Sequence, residues 1–255
     1  MVDRCCTTVA DTRSWSDDVL TPARRRGVEL LDHPGVDPQV RLQAQSDIAR
    51  SNRLLGGLRA PLIELRDLIR VPSRASTLLD VGTGVADIPA RAAAWASDAG
   101  MTLTTIGLDG APSLLVSARG SVTYGVCANA FALPFRDHSI DIVMCSQLLH
   151  HFDWSDAERV VRELNRVASR GVLISDLRRS WIAAIGFWLV AFALRYHRVV
   201  RHDGVVSVLR GFTSSELRRV VTNATGVPPR VRRRLGFRLT ARWTPGTDAA
   251  RSATP

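Results

Sequence analysis

Lysine is missing altogether from this chain of 255 residues: all 34 basic residues are arginine, set against 24 Asp and Glu, for a formal charge of +10 and a sequence pI near 11.0. Clustered arginine would offer a surface to nucleic acid, anionic lipid or an acidic partner. Arginine spread along the whole chain reads instead as a compositional habit, with Arg wherever another protein would use Lys. Cysteine is scarce. Cys5, Cys6, Cys127 and Cys145 form no CxxC pair, and no histidine cluster has zinc-ligand spacing, which excludes a disulfide framework, predicts no metal site and fits a reducing cytoplasm. Between Met1 and Asp18 no apolar stretch of about 7–15 residues follows positive charge, so no signal peptide is expected. Long apolar runs are absent too: the longest, Trp181–Leu194, has 14 residues, short of the roughly 20 that cross a bilayer, and is expected to be buried or interfacial. With 45% hydrophobic and 23% charged residues, a disordered or fibrous chain is excluded as well.

There is no internal repeat. Polar ends, residues 1–18 and 245–255, read as disordered tails. Thr21-Pro22 and Asp37-Pro38 each place a capping residue before proline, predicting helices to about Leu31 and Leu55. A third, Leu58 to Ile69, stops before Pro72. These helices assign residues 19–72 to an N-terminal helical cap. From Thr77, short apolar runs alternate with helical ones: strand Thr77–Val81, helix Val85–Ala99, strand Thr102–Leu108, helix Pro112–Ser117, strands Ser121–Cys127 and Ile140–Cys145. Ser155-Asp-Ala-Glu158 reads as a capping box for a helix with Val160, Val161, Leu164 and Val167 on one face, and strand Gly171–Ser175 follows. Thr213-Ser-Ser-Glu216 is a second capping box, and Arg230–Trp243 a closing hairpin. Alternation of this kind predicts an α/β fold: a doubly wound, mostly parallel, seven-stranded, Rossmann-like sheet over residues 73–244, with an apolar insertion at 177–212.

The strand Leu78-Leu79-Asp80-Val81 runs into Gly82-Thr83-Gly84, and Val85, Ile88, Ala92, Trp95 and Ala99 recur at helical spacing. Two glycines allow a sharp turn and close approach to a ligand at the carboxyl edge of the sheet. A dinucleotide fingerprint needs a third glycine where this chain has Asp87, and a carboxylate there repels a pyrophosphate. A cationic ligand with an amino group and no phosphate suits the turn better. S-adenosylmethionine, with its sulfonium and zwitterionic methionine end, is such a ligand.

The stretch Leu78 to Phe152 resembles the core of class I S-adenosylmethionine-dependent methyltransferases, especially the small-molecule branch that includes the ubiquinone/menaquinone-biosynthesis enzymes. The resemblance assigns Asp80, Gly82, Thr83 and Gly84 to the methionine portion. It makes Asp109 the acceptor of both ribose hydroxyls with Gly110 beside it at the cofactor, Asn129 and Ala130 part of an adenine loop, and Ser146, just past the fourth strand, a further cofactor-binding residue. Ala86 stands where many members have glycine and Asn129 where most have Asp; Asn129 keeps a carbonyl acceptor for the adenine amino group.

Methyl transfer is an in-line displacement, so the protein mainly has to align the acceptor and exclude water, with a base only where the acceptor loses a proton. Candidate catalytic residues are His150, His151 and His202, with Asp176 and Asp203 beside them. Cys145-Ser-Gln-Leu148 lacks the Asp/Asn-Pro-Pro-aromatic motif of the amino-directed nucleic-acid enzymes, and the runs Arg24-Arg25-Arg26 and Arg232-Arg233-Arg234 lack interleaved aromatics, which argues against nucleic acid and for solvated faces. The Trp181–Leu194 run predicts a hydrophobic acceptor: a phenolic, polyketide-like or isoprenoid compound methylated on O or C. Alternatives left open are an RNA methyltransferase and a non-catalytic module that contacts a partner or an anionic membrane through that run and the adjacent arginines.

Overall fold

The computed structural model describes residues 21–25, 27–33, 35–69 and 75–246. Tail residues 1–18 and 247–255, with Cys5 and Cys6, lie outside the described residues. Two helices come first, α1 (Pro38–Leu54) and α2 (Arg59–Ile69), then β1 (Ser76–Val81), α3 (Asp87–Asp98), β2 (Leu103–Asp109), α4 (Pro112–Ser117), β3 (Tyr124–Cys127) and β4 (Ile140–Ser146). Next come α5 (Trp154–Val167), β5 (Ala168–Leu177), α6 (Trp181–Ala193), α7 (Arg198–Arg210), α8 (Ser214–Thr225), β6 (Arg230–Arg234) and β7 (Arg238–Trp243). The strands form one seven-stranded sheet in the order β3-β2-β1-β4-β5-β7-β6. β1 to β5 are parallel, β7 runs antiparallel to β5, and β6 pairs antiparallel with β7.

Period-two alternation along the central strands divides the core. Leu79, Val81, Val143, Cys145, Val172 and Ile174 face α5 and α8, packing with Val161, Leu164, Phe212 and Val220. Leu78, Ile142, Met144 and Leu173 face the other way, onto Leu65 and Ile69 of α2 and Ile88 and Ala92 of α3. Strands buried on both faces need apolar residues at successive positions, as β1 and β4 have. β1 bonds to β2 on one side and to β4 on the other. The strand order reverses at β1, with β2 and β3 added on one side and β4 and β5 on the other, which opens a crevice at the carboxyl ends of β1 and β4.

Several local expectations are corrected. Among the described residues of 21–31 no α-helix forms; they make an irregular strap with one 3-10 turn, Leu30–Asp32. Its N–H groups go to tertiary partners instead: Arg25 N donates to Leu209 O (3.3 Å), and Leu30 N and Leu31 N to the Asp203 carboxylate (2.8 and 2.9 Å). α5 is not capped by Ser155. Asp153 takes that role, accepting from Asp156 N at 2.9 Å, while Ser155 Oγ donates to Asp153. Thr213 and Glu216 do form the reciprocal capping box. α3 starts two residues later than expected because Ala86 adopts the left-handed conformation, φ 59°. The insertion holds a second helix, α7, valine-rich and interrupted by Gly204. A Cβ on Gly204 would lie 2.0 Å from the Phe187 ring, so the glycine lets α6 and α7 close on each other.

Candidate functional site

A cavity of about 270 Å³ opens at the carboxyl ends of β1 and β4. It is lined by Asp80, Gly82, Thr83, Gly84, Asp87 and Ser146 from the glycine turn and its neighbouring strand ends, by Glu29, His150, His151, Asp203 and Ser207, and by the apolar Leu177, Phe187, Val200 and Val208. Gly82 and Gly84 take φ values of 74° and 55°, which an L side chain rarely adopts.

Asp80 is buried at the end of β1. Its Oδ2 accepts from Thr83 Oγ1 at 3.0 Å, and its Oδ1 has no partner. Burial pushes its pKa up to about 7, and Asp87 and Asp109 nearby add to the rise against the Thr83 hydrogen bond. Ser146 Oγ, also on the cavity, is likewise buried without a partner. Two such atoms on one cavity wall call for polar groups from a ligand. Asp87 opens α3 on the same wall, and burial raises its pKa as well. The helix N-terminus thus already carries a carboxylate, which disfavours a phosphate there.

Asp109 ends β2. Its Oδ2 accepts from Gly84 N (3.1 Å) and its Oδ1 from Ala111 N (2.9 Å), tying the glycine turn to the neighbouring strand and leaving each oxygen a further lone pair. Asp109, Gly110, Asn129 and Ala130 lie outside the cavity lining. Asn129 is exposed and its Oδ1 accepts from Phe131 N at 2.9 Å, so the carbonyl expected to be open is already engaged once.

Across the cavity, His150 Nδ1 lies 2.7 Å from Asp176 Oδ1, and His150 N donates to Asp176 Oδ2 at 3.1 Å. Asp176 is wholly buried; burial alone would raise its pKa, but the His150 ring and the Leu177 N–H hold it below the ordinary carboxylate value. An ionised carboxylate only accepts, so the proton between them sits on Nδ1, which in a neutral imidazole leaves Nε2 as the nitrogen with the lone pair. Nε2 is 3.8 Å from Glu29 Oε1, and His151 Nδ1 is 3.9 Å from the same atom. Glu29, on the strap, also accepts from Ser207 Oγ (2.7 Å) and faces Arg210 Nη1 at 3.7 Å. Glu29, His150 and His151 could bring three ligand atoms within 4.8 Å of one another. With Arg210 and Ser207 already on Glu29, however, the trio is organised as an acid–base cluster and a cation would meet the guanidinium.

Arginines fix this arrangement. Arg210 donates to the carbonyls of His150 and His151 and to Gly27 O; Arg24 donates to Phe152 O (2.9 Å) and Arg210 O (2.7 Å). Buried Arg238 holds Gln147, which has φ 53°, by a 2.9 Å bond, and burial brings its pKa down to about 10. None of Glu29, Arg210 and Arg238 stands out in the sequence, and Arg24 does so only within a run that reads as a solvated face, because each reaches the site from a segment distant along the chain. His202 is not brought to the cavity. It lies half-exposed on α7, paired with Asp203 Oδ1 at 2.8 Å, in a separate hollow.

Residues 79–175 match the methyltransferase domain family. Among curated proteins, none matches the sequence. Three solved structures share the fold at low identity. A SAM-dependent methyltransferase from Aquifex aeolicus has TM-score 0.54 and 17% identity, covering 79% of this chain and 98% of that one. The plantazolicin methyltransferase BamL, in complex with a triazolic desmethylPZN analog and SAH, has TM-score 0.55 and 14% identity, covering 78% and 72%. The CMeT domain of the citrinin polyketide synthase has TM-score 0.54 and 13% identity, covering 73% and 51%. The matched stretch begins on the glycine turn's own strand and ends on β5, so a methyltransferase domain match spans the strands that form the cavity edge, and the fold is one shared with these solved methyltransferases.

Proposed function

We propose that the chain is an S-adenosylmethionine-dependent methyltransferase that acts on an oxygen or carbon atom of a hydrophobic small molecule, with His150 as the base when the acceptor is a hydroxyl. The observation that carries the reading is the His150–Asp176 pair: His150 lines the same cavity as the glycine turn, together with the apolar side chains of Leu177, Phe187, Val200 and Val208, and Asp176 is buried behind it. S-adenosylmethionine supplies a methyl group on a positive sulfonium and leaves as a neutral thioether.

Toward that cofactor, Asp80 Oδ1 and Ser146 Oγ fit its ammonium and carboxylate end, since both are buried, face the cavity and lack partners. Asp109 fits the ribose hydroxyls through the lone pairs that Gly84 and Ala111 leave open, and Gly110, Asn129 and Ala130 flank the adenine side. His150 Nε2 takes the acceptor proton as the new O–C bond forms, and the resulting imidazolium lies between Asp176 and Glu29. His151 borders the acceptor on the Glu29 side. The insertion at 177–212 excludes water and selects the acceptor through Phe187, Val200 and Val208.

The test is turnover with methyl-labelled cofactor against a panel of lipophilic phenols and quinols and of polar amines. Label should enter the organic-soluble phenols, and His150→Gln should remove it with cofactor binding intact. Efficient methylation of polar amines, with no lipophilic phenol or quinol competing, overturns the reading.

A further inference from the structure

α6 is built inside out for a helix on a protein surface. Its buried positions are the small residues Ala183, Ala184 and Ala191. Its large ones, Ile182, Ile185, Trp188, Leu189 and Phe192, are 47–58% exposed. Their spacing of three and four puts them on one face, and Trp188 and Phe192 stack with ring centroids 5.6 Å apart. A contiguous apolar stripe of this kind marks an interaction surface.

The rim of that face is cationic. Arg195 and Arg198 are exposed and have no carboxylate partner among the described residues. Arg25 lies over the Trp181 ring at 5.4 Å and Arg201 over Phe192 at 5.7 Å. Beside the stripe, Trp188, Arg25, Arg198, Arg201 and His202 enclose a hollow of about 550 Å³. From Arg178 to Ser215 the chain has six arginines and a single acid, Asp203, which is buried and bonded to the strap. Every exposed charge that this insertion presents is therefore positive.

We infer that this face docks the protein on an anionic membrane, with α6 lying in the interfacial plane, its aromatic stripe at the acyl boundary and the arginine rim on lipid phosphates. Charge decides between a bilayer and a second copy of the chain, because a two-fold pairing of the stripe would press two arginine rims together, whereas anionic headgroups neutralise them. No helix among the described residues is long and apolar enough to cross a membrane. α6, 13 residues and so about 20 Å long, suits the plane of the interface, where Trp sits well. Docking does not depend on which acceptor the cavity takes, though Phe187, adjacent to Trp188, lines that cavity and would bring its wall to the lipid surface.

Flotation of the full chain with vesicles of equal parts phosphatidylglycerol and phosphatidylcholine, beside pure phosphatidylcholine, tests this. Co-flotation with the anionic vesicles is expected, weaker by about tenfold or more on neutral vesicles or for R198E/R201E and similarly for W188S/F192S. Both variants should keep wild-type cofactor affinity, which guards against misfolding. If W188S/F192S fails to fold, R198E/R201E alone decides. Wild-type protein left unbound, or an R198E/R201E protein that floats like wild type, overturns the inference. So does a vesicle-free dimer that W188S/F192S converts to monomer, because the stripe would then belong to a second copy.

Discussion

Asp176 accepts the Nδ1 proton of His150 across 2.7 Å while its other oxygen accepts the His150 backbone N–H. One buried carboxylate thereby fixes the ring's position, rotation and tautomer together, as is needed for Nε2 to receive a proton from a bound acceptor. Asp176→Asn keeps the shape but offers an NH₂ that can turn the tautomer round. Turnover on a hydroxyl acceptor is expected to fall about 10²–10⁴-fold, as for loss of a general base, with the cofactor dissociation constant unchanged by calorimetry. His150→Gln should match it, and the double variant should cost no more than either one. Unchanged turnover in both single variants would leave proximity alone as the source of rate.

If Asp80 meets the cofactor's ammonium as proposed, its raised pKa of about 7 predicts pH-dependent cofactor binding. A carboxylate facing the ligand's ammonium must be ionised, so binding releases a proton below pH 7. Affinity should therefore rise by up to about tenfold per pH unit below 7 and level off above it. The stability of the ligand-free protein runs the other way. The native carboxyl binds its proton more tightly than the unfolded one, so stability is greatest below the unfolded value of 3.8 and declines as pH rises to about 7. Titration calorimetry at several pH values on wild type and Asp80→Asn checks this: the variant should bind weakly at all pH values, with the slope gone.

Asp203 clamps the strap by accepting from two successive N–H groups, Leu30 and Leu31. The strap in turn delivers Glu29 to the two histidines. Asp203→Ala removes both charge-assisted bonds at a buried position and should cost about 2–3 kcal/mol. It should also expose the strap to limited proteolysis near Gly27 while leaving β1 and the glycine turn intact. A Michaelis constant that rises while the cofactor dissociation constant holds would separate the strap's role from that of the turn.

Elements with a local signal were legible in the sequence. The period-two apolar strands, the Gly82–Gly84 turn, the Asp37 and Thr213 caps and the closing hairpin all depend on residues close together along the chain. What depended on distant partners was not. The strap lost its expected helix to α7, and the arginine runs expected as solvated faces act partly as tethers: Arg24 holds the carbonyl of Phe152, while Arg232, Arg234 and Arg242 gather around buried Glu64. The glycine-turn part of the cavity was readable from one contiguous motif; Glu29, Arg210 and Arg238 reach His150, His151 and Gln147 through tertiary contacts with no sequence signature. The α5 start was misplaced because two capping residues compete within three positions. Asp153→Ala should therefore lower stability by about 1 kcal/mol, and Ser155→Ala, whose hydroxyl only donates to Asp153, should change it by less than about 0.5 kcal/mol, both read by denaturant titration.

Gly204 sets how closely α6 can approach α7, and with it the acceptor wall. Within a helix interior, glycine to alanine ordinarily stabilises by about 0.8–1.0 kcal/mol through backbone entropy. Here the new methyl group would fall 2.0 Å from Phe187 Cε1 and 2.2 Å from Cζ, so the ring must swing out or the helices must part. Overpacking of that order costs about 1–3 kcal/mol, enough to reverse the sign of the propensity gain. Phe187 lines the cavity on the acceptor side, so its displacement should raise the Michaelis constant for lipophilic acceptors. The cofactor's dissociation constant should stay put, because Asp80, Gly82 and Ser146, proposed to hold it, come from β1, its turn and β4 rather than from α6 or α7. Thermal unfolding and a substrate series on Gly204→Ala measure both effects. A variant more stable than wild type with unchanged acceptor kinetics would show that the α6–α7 contact has no part in shaping the site.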